Sequence, residues 1–489
     1  MSFINLKQLR SQRGKERMNK YGCSRVLGLL LLSAALFLSA CGARKKEPIT
    51  LSVWHVYGGQ TDSPLNQLID EFNETVGAEK GIILQVMQVS NTNTIHESVL
   101  AAANHEPGAA KLPDLFISYP KTVLAMPDSA VLVDYRDYFS EKELSAFLPE
   151  FLEEGMIDGR LLVLPAAKST EILFIDKTLF DRFSADTGAD LEQLRTWEGL
   201  FAMSEDYYRW LDAKTPDIPH DGRCFFVHDY HFNYLQLGTE SLGEDFFSGN
   251  QLAFGEAFHR VWMPYARAAI QGGVWLGDGY ATDPLRTGEA VASVASSASV
   301  LYYEDIVTYP DNVSEPVQVV SYALPIMKGG EKLAIQRGAG FCLTKSNPER
   351  EAAAVEFLKW LTEPKCNLRF VTSTGYMPVT EQAFAMLPEV AETLESGKYR
   401  SLYHAMNETR RDYQFYTPPQ LSTYLDLEMS VEKNARKILQ NAREKYLAAL
   451  SPEDEGFSEE AITAQNALAE QLAEEALTAL KLAVQRAGK

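Results

Sequence analysis

Apolar residues alternate at Ile49, Leu51 and Val53 in ITLSVWHVY, the period of a strand with one buried face, and the first strand of the folded region is placed there. The period then changes. Ser63-Pro64 supplies a capping residue and a proline at the first helical position, and Leu65, Leu68, Ile69, Phe72 and Val76 share one helical face. A second β-rich run, GIILQVMQV, follows, so strand, helix and strand form a βαβ unit with a parallel sheet and a right-handed crossover. The pattern recurs around LPDLFISY and LLVLPA, which makes this half α/β. From about residue 170 aromatic helical stretches take over, with Trp197, Tyr207, Tyr208, Trp210, Phe225, Phe226, Tyr230, Phe232 and Tyr234, and a second lobe is expected. β-rich texture returns at EAVASVASSASVLYY, VQVVSYALPI and AIQRGAGFCLT. A helix capped by Asn347-Pro348 follows, with Val355, Leu358 and Leu361 at core spacing, and it stops at Glu363-Pro364. SPEDEG, residues 451–456, separates a last Ala- and Glu-rich amphipathic helix.

Ahead of this region Lys7, Arg10, Arg13, Lys15, Arg17, Lys20 and Arg25 face the single acid Glu16, and Val26 to Leu38 is almost wholly apolar. That run is short for a bilayer core, which needs about 20 residues, and it fits a secretory signal over residues 1–40, starting at Met1 or Met18. Leu38-Ser39-Ala40-Cys41 resembles the bacterial lipobox, which implies cleavage before Cys41 and acylation of its sulfur, with residues 42–48 as a tether. Acyl chains favour a bilayer by roughly 0.8 kcal/mol per buried CH₂, so the remainder would be held at a membrane surface. The whole chain carries −20 and residues 1–40 carry 7 − 1 = +6, leaving −26 from Cys41 onward. Such a balance disfavours nucleic acid and anionic headgroups as partners. Cys224, Cys342 and Cys366 allow one bridge at most and are read as buried apolar residues.

The chain from Cys41 is 449 residues, more than one core usually holds. It shows no H-E-x-x-H helix, G-x-S-x-G elbow or G-x-x-x-x-G-K-[ST] phosphate loop. Paired glycosidase carboxylates have no fixed spacing, so a tethered glycan-degrading enzyme stays open as an alternative. Cys224, His228, Asp229 and His231 fall together in RCFFVHDYH, but no second cluster completes a metal site, and a partly buried polar patch is expected, with neither metal nor cofactor. Ser296, Ser297 and Ser299 in SVASSASV offer hydroxyls and N–H groups to an oxygen-rich ligand, or simply cap a turn. Tyr376 stands between Gly375 and Met377-Pro378, in a loop that would fix an aromatic ring.

In order and spacing, the lipobox, LSVWH (51–55), LPDLFIS (112–118), STEILFIDKTLF (169–180), GEAVASVASSAS (288–299), AAAVEFLKWLTEP (352–364) and TGYMPV (374–379) resemble the extracellular solute-binding proteins of ABC importers that take sugars and glycerol phosphates. The resemblance implies an α/β, two-lobe periplasmic-binding-protein fold of type II, with hinge strands and a ligand cleft between the lobes. It implies lobe 1 at 49–165 plus 291–326, lobe 2 at 166–290 plus 327–450, and an acidic linker with a C-terminal helix at 451–489. It also implies a monomer without catalysis, lipid-anchored through Cys41 on the extracellular or periplasmic face of the membrane, which closes on its solute and hands it to permease subunits. Carried over position by position, Trp54, His55, Ser169, Ser296, Gly338 and Tyr376 match ligand contacts of the glycerol-phosphate type. Two departures stand out. Pro120 replaces a carboxylate, with a tyrosine contact falling near Ile95 or His96, and TPPQLSTYLDLEMSVEKNA holds no counterpart of the phosphate-pairing arginine. A buried phosphate lacking a cation costs several kcal/mol, so a sugar or other polyol fits at least as well.

Overall fold

The computed structural model describes residues 47–57, 63–89, 92–421, 423–450 and 458–487. The export segment, the lipobox with Cys41, and tether residues 42–46 lie outside them. Among the described residues no helix is long and apolar enough to cross a membrane.

The two larger sheets are built from β1 (Ile49–His55), β2 (Ile82–Gln88), β3 (Leu115–Ser118), β4 (Glu171–Asp176), β5 (Phe226–His228), β6 (Ala292–Ser296), β7 (Val319–Ala323) and β8 (Gly340–Leu343). One has the order β8-β3-β1-β2 and the other β7-β4-β6-β5. β1 runs parallel to β2 and β3, whereas β8 pairs antiparallel with β3. Helices used below are α1 (Pro64–Glu74), α2 (His231–Ser241), α3 (Glu256–Gln271), α4 (Pro348–Thr362), α5 (Pro364–Thr372), α6 (Gly397–Asp412), α7 (Tyr424–Ala449) and α8 (Glu459–Ala487).

The capping signals act as read. The Ser63 side chain accepts from Asn66 N and that of Asn347 from Arg350 N, each with proline opening the helix. Leu65, Leu68, Ile69 and Phe72 are buried on α1 against β1 and β2, and each such side chain contributes roughly 1.5–3 kcal/mol. The aromatic run after residue 170 forms a second core, with Trp197, Phe201, Phe226, Tyr234, Trp262 and Tyr265 buried together. Cys342 and Cys366 are buried and Cys224 is part-exposed, all three as free thiols.

The chain is divided between the sheets differently from the expectation. Segment 291–326 was expected in lobe 1, but β6 and β7 both pair with β4, flanking it on either side. β8, expected in lobe 2, closes the first sheet through Gly340↔Ser118 and Leu343↔Leu115. The physical reason is burial: all four residues of β8 are buried, and the edge of β3 is the partner that removes their backbone groups from water. LLVLPA also differs, for only Arg160–Leu161 is a strand there, and the chain then crosses to β4 in extended form.

That crossing and its return run side by side. Leu164 bridges Phe341, and Ser169 bridges Arg337 with N–H···O distances of 2.7 and 2.6 Å. Gly338 lies in this hinge at φ +100°, where a Cβ would stand 3.2 Å from Ser169 N, so the close approach needs glycine. Buried Asn367 on α5 pins the crossing, its Nδ2 donating to Ala166 O (2.6 Å) while its Oδ1 accepts from Val379 N (3.1 Å). Asn367→Ala leaves both backbone groups unpaired and is expected to cost about 2 kcal/mol, read as a lower urea midpoint at unchanged m.

Candidate functional site

A cleft of about 1240 Å³ opens where β6, the hinge and α7 meet the loop after β3. One wall comes from the first lobe, where Tyr119 and Lys121 follow β3, Pro120 opens a short helix, and His96 lies beside them. Burial, helped by nearby Lys121, holds the His96 imidazole down near 4, so it is neutral at pH 7. The opposite wall is one side of α7, with Tyr424 and Glu428 buried and Leu425, Met429, Glu432, Lys433 and Arg436 beside them at helical spacing. Lys121 reaches Glu428 across the cleft at 2.5 Å, an ion pair that ties the lobes.

The floor is built by the hinge and by the turn after β5. Arg337 donates to Glu171 Oε1 at 3.2 Å and stacks over the Tyr230 ring at 5.1 Å. Glu171 also accepts from Asn233 Nδ2 at 2.7 Å, while its Oε2 has no hydrogen-bond partner among the described residues. Burial pushes the Glu171 carboxyl up to about 7 against the pull of Arg337. Asp229 sits beside them with Oδ1 accepting from Ala281 N at 3.4 Å, and burial raises its carboxyl as well. The guanidinium is therefore flanked by two carboxylates and, among the described residues, donates only through Nη1 to Glu171, an arrangement suited to bidentate contact with vicinal hydroxyls or an anion.

The whole lining is close to neutral. Glu97, Glu154, Asp229, Asp283, Glu428 and Glu432 stand against Lys121, Arg286, Arg337, Lys433 and Arg436. Tyr119, Tyr230, Tyr280, Tyr302, Tyr376 and Tyr424 supply flat apolar faces with polar edges.

The six residues singled out in the sequence separate into three groups. Ser296 and Tyr376 line the cleft, Ser296 at the end of β6 and Tyr376 packed edge-on against Tyr57 at 5.2 Å. Ser169 and Gly338 lie in the hinge next to Arg337, behind the lining. Trp54 and His55 are core residues of the first lobe, because β1 is a central strand covered on both faces. His55 Nε2 donates to Asn66 Oδ1 (2.8 Å) and its Nδ1 accepts from Tyr57 N (3.2 Å), so it fastens β1 to α1. Of the serine cluster, Ser299 also lines the cleft, whereas Ser297 is buried and its N–H is taken by Thr170 O.

RCFFVHDYH divides similarly. His228 and His231 are buried, and His231 bonds Glu432 through Nδ1 at 3.0 Å, while Asp229 and Tyr230 reach the cleft. Sequence reasoning missed Arg337, although it directly precedes the glycine singled out in RGAGF, and Arg436, which stands one residue beyond the stretch searched for an arginine.

Residues 67–395 match a family model described as bacterial extracellular solute-binding protein. The sn-glycerol-3-phosphate-binding periplasmic protein UgpB of Rhizobium meliloti (strain 1021) is 22% identical over 442 residues, 82% of this chain and 94% of the relative. UgpB of Brucella abortus (strain 2308) is 21% identical over 378 residues, 74% of this chain and 81% of the relative. Among solved structures, UgpB from Mycobacterium tuberculosis in complex with glycerophosphocholine superposes with a TM-score of 0.64 at 16% identity, covering 90% of this chain and 99% of that one. The cyclic alpha-maltosyl-1,6-maltose binding protein from Arthrobacter globiformis does so at 0.60 and 18%, covering 88% and 99%. At these identities the structural likeness shows the fold, two lobes about a cleft.

Proposed function

Because the chain belongs to the family of bacterial extracellular solute-binding proteins, we propose that it is the solute-capturing subunit of an ABC importer, held to the membrane through Cys41. It takes a carbohydrate or glycerol-phosphate-like solute between the lobes, closes about the paired hinge strands and presents the closed form to a permease. The observation that carries this reading is the cleft floor, where Arg337, Asp229 and Asn233 offer donors and acceptors side by side beneath tyrosine faces. Relatives named for glycerol 3-phosphate, and fold neighbours solved with glycerophosphocholine or named for a cyclic maltose derivative, support the two solute classes. The near-neutral lining favours a solute dominated by hydroxyls, and Arg337 supplies the cation that a phosphate would need.

The deciding experiment is a thermal-shift screen of the purified protein against mono- and oligosaccharides, glycerol 3-phosphate and glycerophosphodiesters, with recovery of the ligand afterwards. A solute at 100 times its Kd stabilises the fold by about 2.7 kcal/mol. Recovery of the solute intact supports capture, and recovery of cleaved glycan replaces it with the glycosidase reading. Asp229→Asn keeps the contact to Ala281 N but removes a charged acceptor, and calorimetry is expected to show roughly tenfold weaker binding of the solute that scores in the screen.

A further inference from the structure

A second basin of about 810 Å³ opens along α7 beyond the cleft, and Glu432, Lys433 and Arg436 belong to the walls of both. The two hollows therefore adjoin along that stretch of α7. Their wall is a single face of α7 from Leu425 to Leu447, roughly 33 Å at 1.5 Å per residue. The basin floor is apolar, from Val274 and Leu276, and its rim is cationic.

Four cations, Lys433, Arg436, Lys437 and Arg443, gather in this one basin. Acids outnumber bases 66 to 46, and most buried or half-buried arginines elsewhere hold a carboxylate. Lys433, Lys437 and Arg443 of the basin have no carboxylate within ion-pair distance among the described residues, while Arg436 has only the exposed Asp278 at 3.4 Å. Of the basin's three acids, Glu432 is already bonded to His231 Nδ1 and Phe232 N, which leaves Asp278 and Glu444. Arg443 is nonetheless fixed in place, donating to Ile270 O at 3.1 Å and to Tyr208 Oη at 3.0 Å, with its guanidinium over the Tyr208 ring. Lys433 and Lys437 stand one turn apart on one helical face, a like-charge pair that costs helix stability unless an anion lies between them.

We propose that this basin is a second, anion-accepting subsite, and that the solute is elongated, its hydroxyl-rich body lying between the lobes and its phosphate, sulfate or carboxylate end received by Lys433, Lys437 and Arg443. The inference rests on the solute-capture reading of the cleft and extends it along α7. A cleft that ended at Glu432 would leave Lys433 and Lys437 facing water without a carboxylate within ion-pair distance among the described residues.

The test is isothermal calorimetry on the purified protein with oligosaccharides of equal length in matched sets, one member neutral and the others ending in a uronate, a phosphate or a sulfate. Lys437 lines the basin but not the cleft, so its variants leave the cleft wall intact. A charged member is expected to bind about tenfold more tightly than its neutral partner, an advantage that shrinks as salt is raised. Lys437→Glu is expected to abolish the advantage, Lys437→Arg to keep it, and neither to change binding of the neutral member. The best of the three termini identifies the anion. Equal binding of charged and neutral members, or a charged member indifferent to Lys437→Glu, overturns the subsite and leaves solute capture standing. No binding anywhere in the panel overturns the capture reading, and this inference falls with it.

Discussion

Arg337→Ala is expected to lower folding stability by roughly 1.5 kcal/mol more at pH 8 than at pH 5, because the buried Glu171 carboxyl loses the cation that lets it ionise. In the intact protein Glu171 titrates near 7, against an ordinary value of 4.5. Between those two values the folded state keeps a proton that the unfolded chain has released, so stability falls as pH rises through that window, by roughly 3 kcal/mol in all. Loss of the guanidinium removes the attraction that opposes burial and moves the Glu171 titration higher still. The pH-dependent deficit of the variant therefore opens above neutrality and is closed below about pH 6, where the folded carboxyl is protonated with or without its partner. Urea titrations of both proteins at pH 5 and 8 measure this directly, and adding Glu171→Gln to Arg337→Ala should recover most of the loss at pH 8. A deficit of equal size at both pH values would mean that Arg337 acts through packing on Tyr230 rather than through charge.

Trp262→Ala is the second large effect, about 3–5 kcal/mol. The indole is fully buried in α3, and its Nε1 donates to Ala473 O of α8 at 3.0 Å. Alanine opens a cavity between α3 and α8 and removes the indole's bond to the Ala473 carbonyl. Because Leu472, Leu477 and Leu480 of α8 are buried in that same core, loosening is expected to concentrate in the C-terminal helix. Hydrogen exchange should speed up across residues 459–487 before it does in β1 or β4. Trp262→Phe, which keeps most of the volume, should lose about half as much.

What the sequence made legible was local. Alternation and capping identified β1, α1 and α4 because those signals depend on neighbours within a turn or two. Membership of a sheet was not legible, since β7 and β8 are equally apolar and only their distant partners distinguish them. Tyr376 and Ser296 were visible as unusual residues in glycine- and serine-rich settings, and both reach the cleft. Trp54 and His55 carried the same conspicuousness for a structural reason, a central strand that has to bury whatever it carries. Arg337 was invisible, and Asp229 showed only as part of a cluster read as a polar patch, because a charged residue declares a role only through what surrounds it, and here the surroundings come from β4, α2 and the hinge. On α7 the helical spacing of Glu428, Glu432 and Arg436 was readable, but the helix also has a core face, so spacing alone did not say which side met a ligand.

The return of β8 to the first sheet governs the order in which the chain acquires structure. From Ser118 to Gly340 it passes through 340 − 118 = 222 residues, all of β4 to β7 among them, before the first sheet receives its last strand. The first lobe cannot mature on its own as the amino terminus is synthesised, and its open β3 edge persists until the second lobe has been traversed. Closing so long a loop is entropically unfavourable and such non-local pairing is slow, so refolding should be gradual, with the amino-terminal sheet finishing last. A chain that folds late is also one that stays threadable for longer.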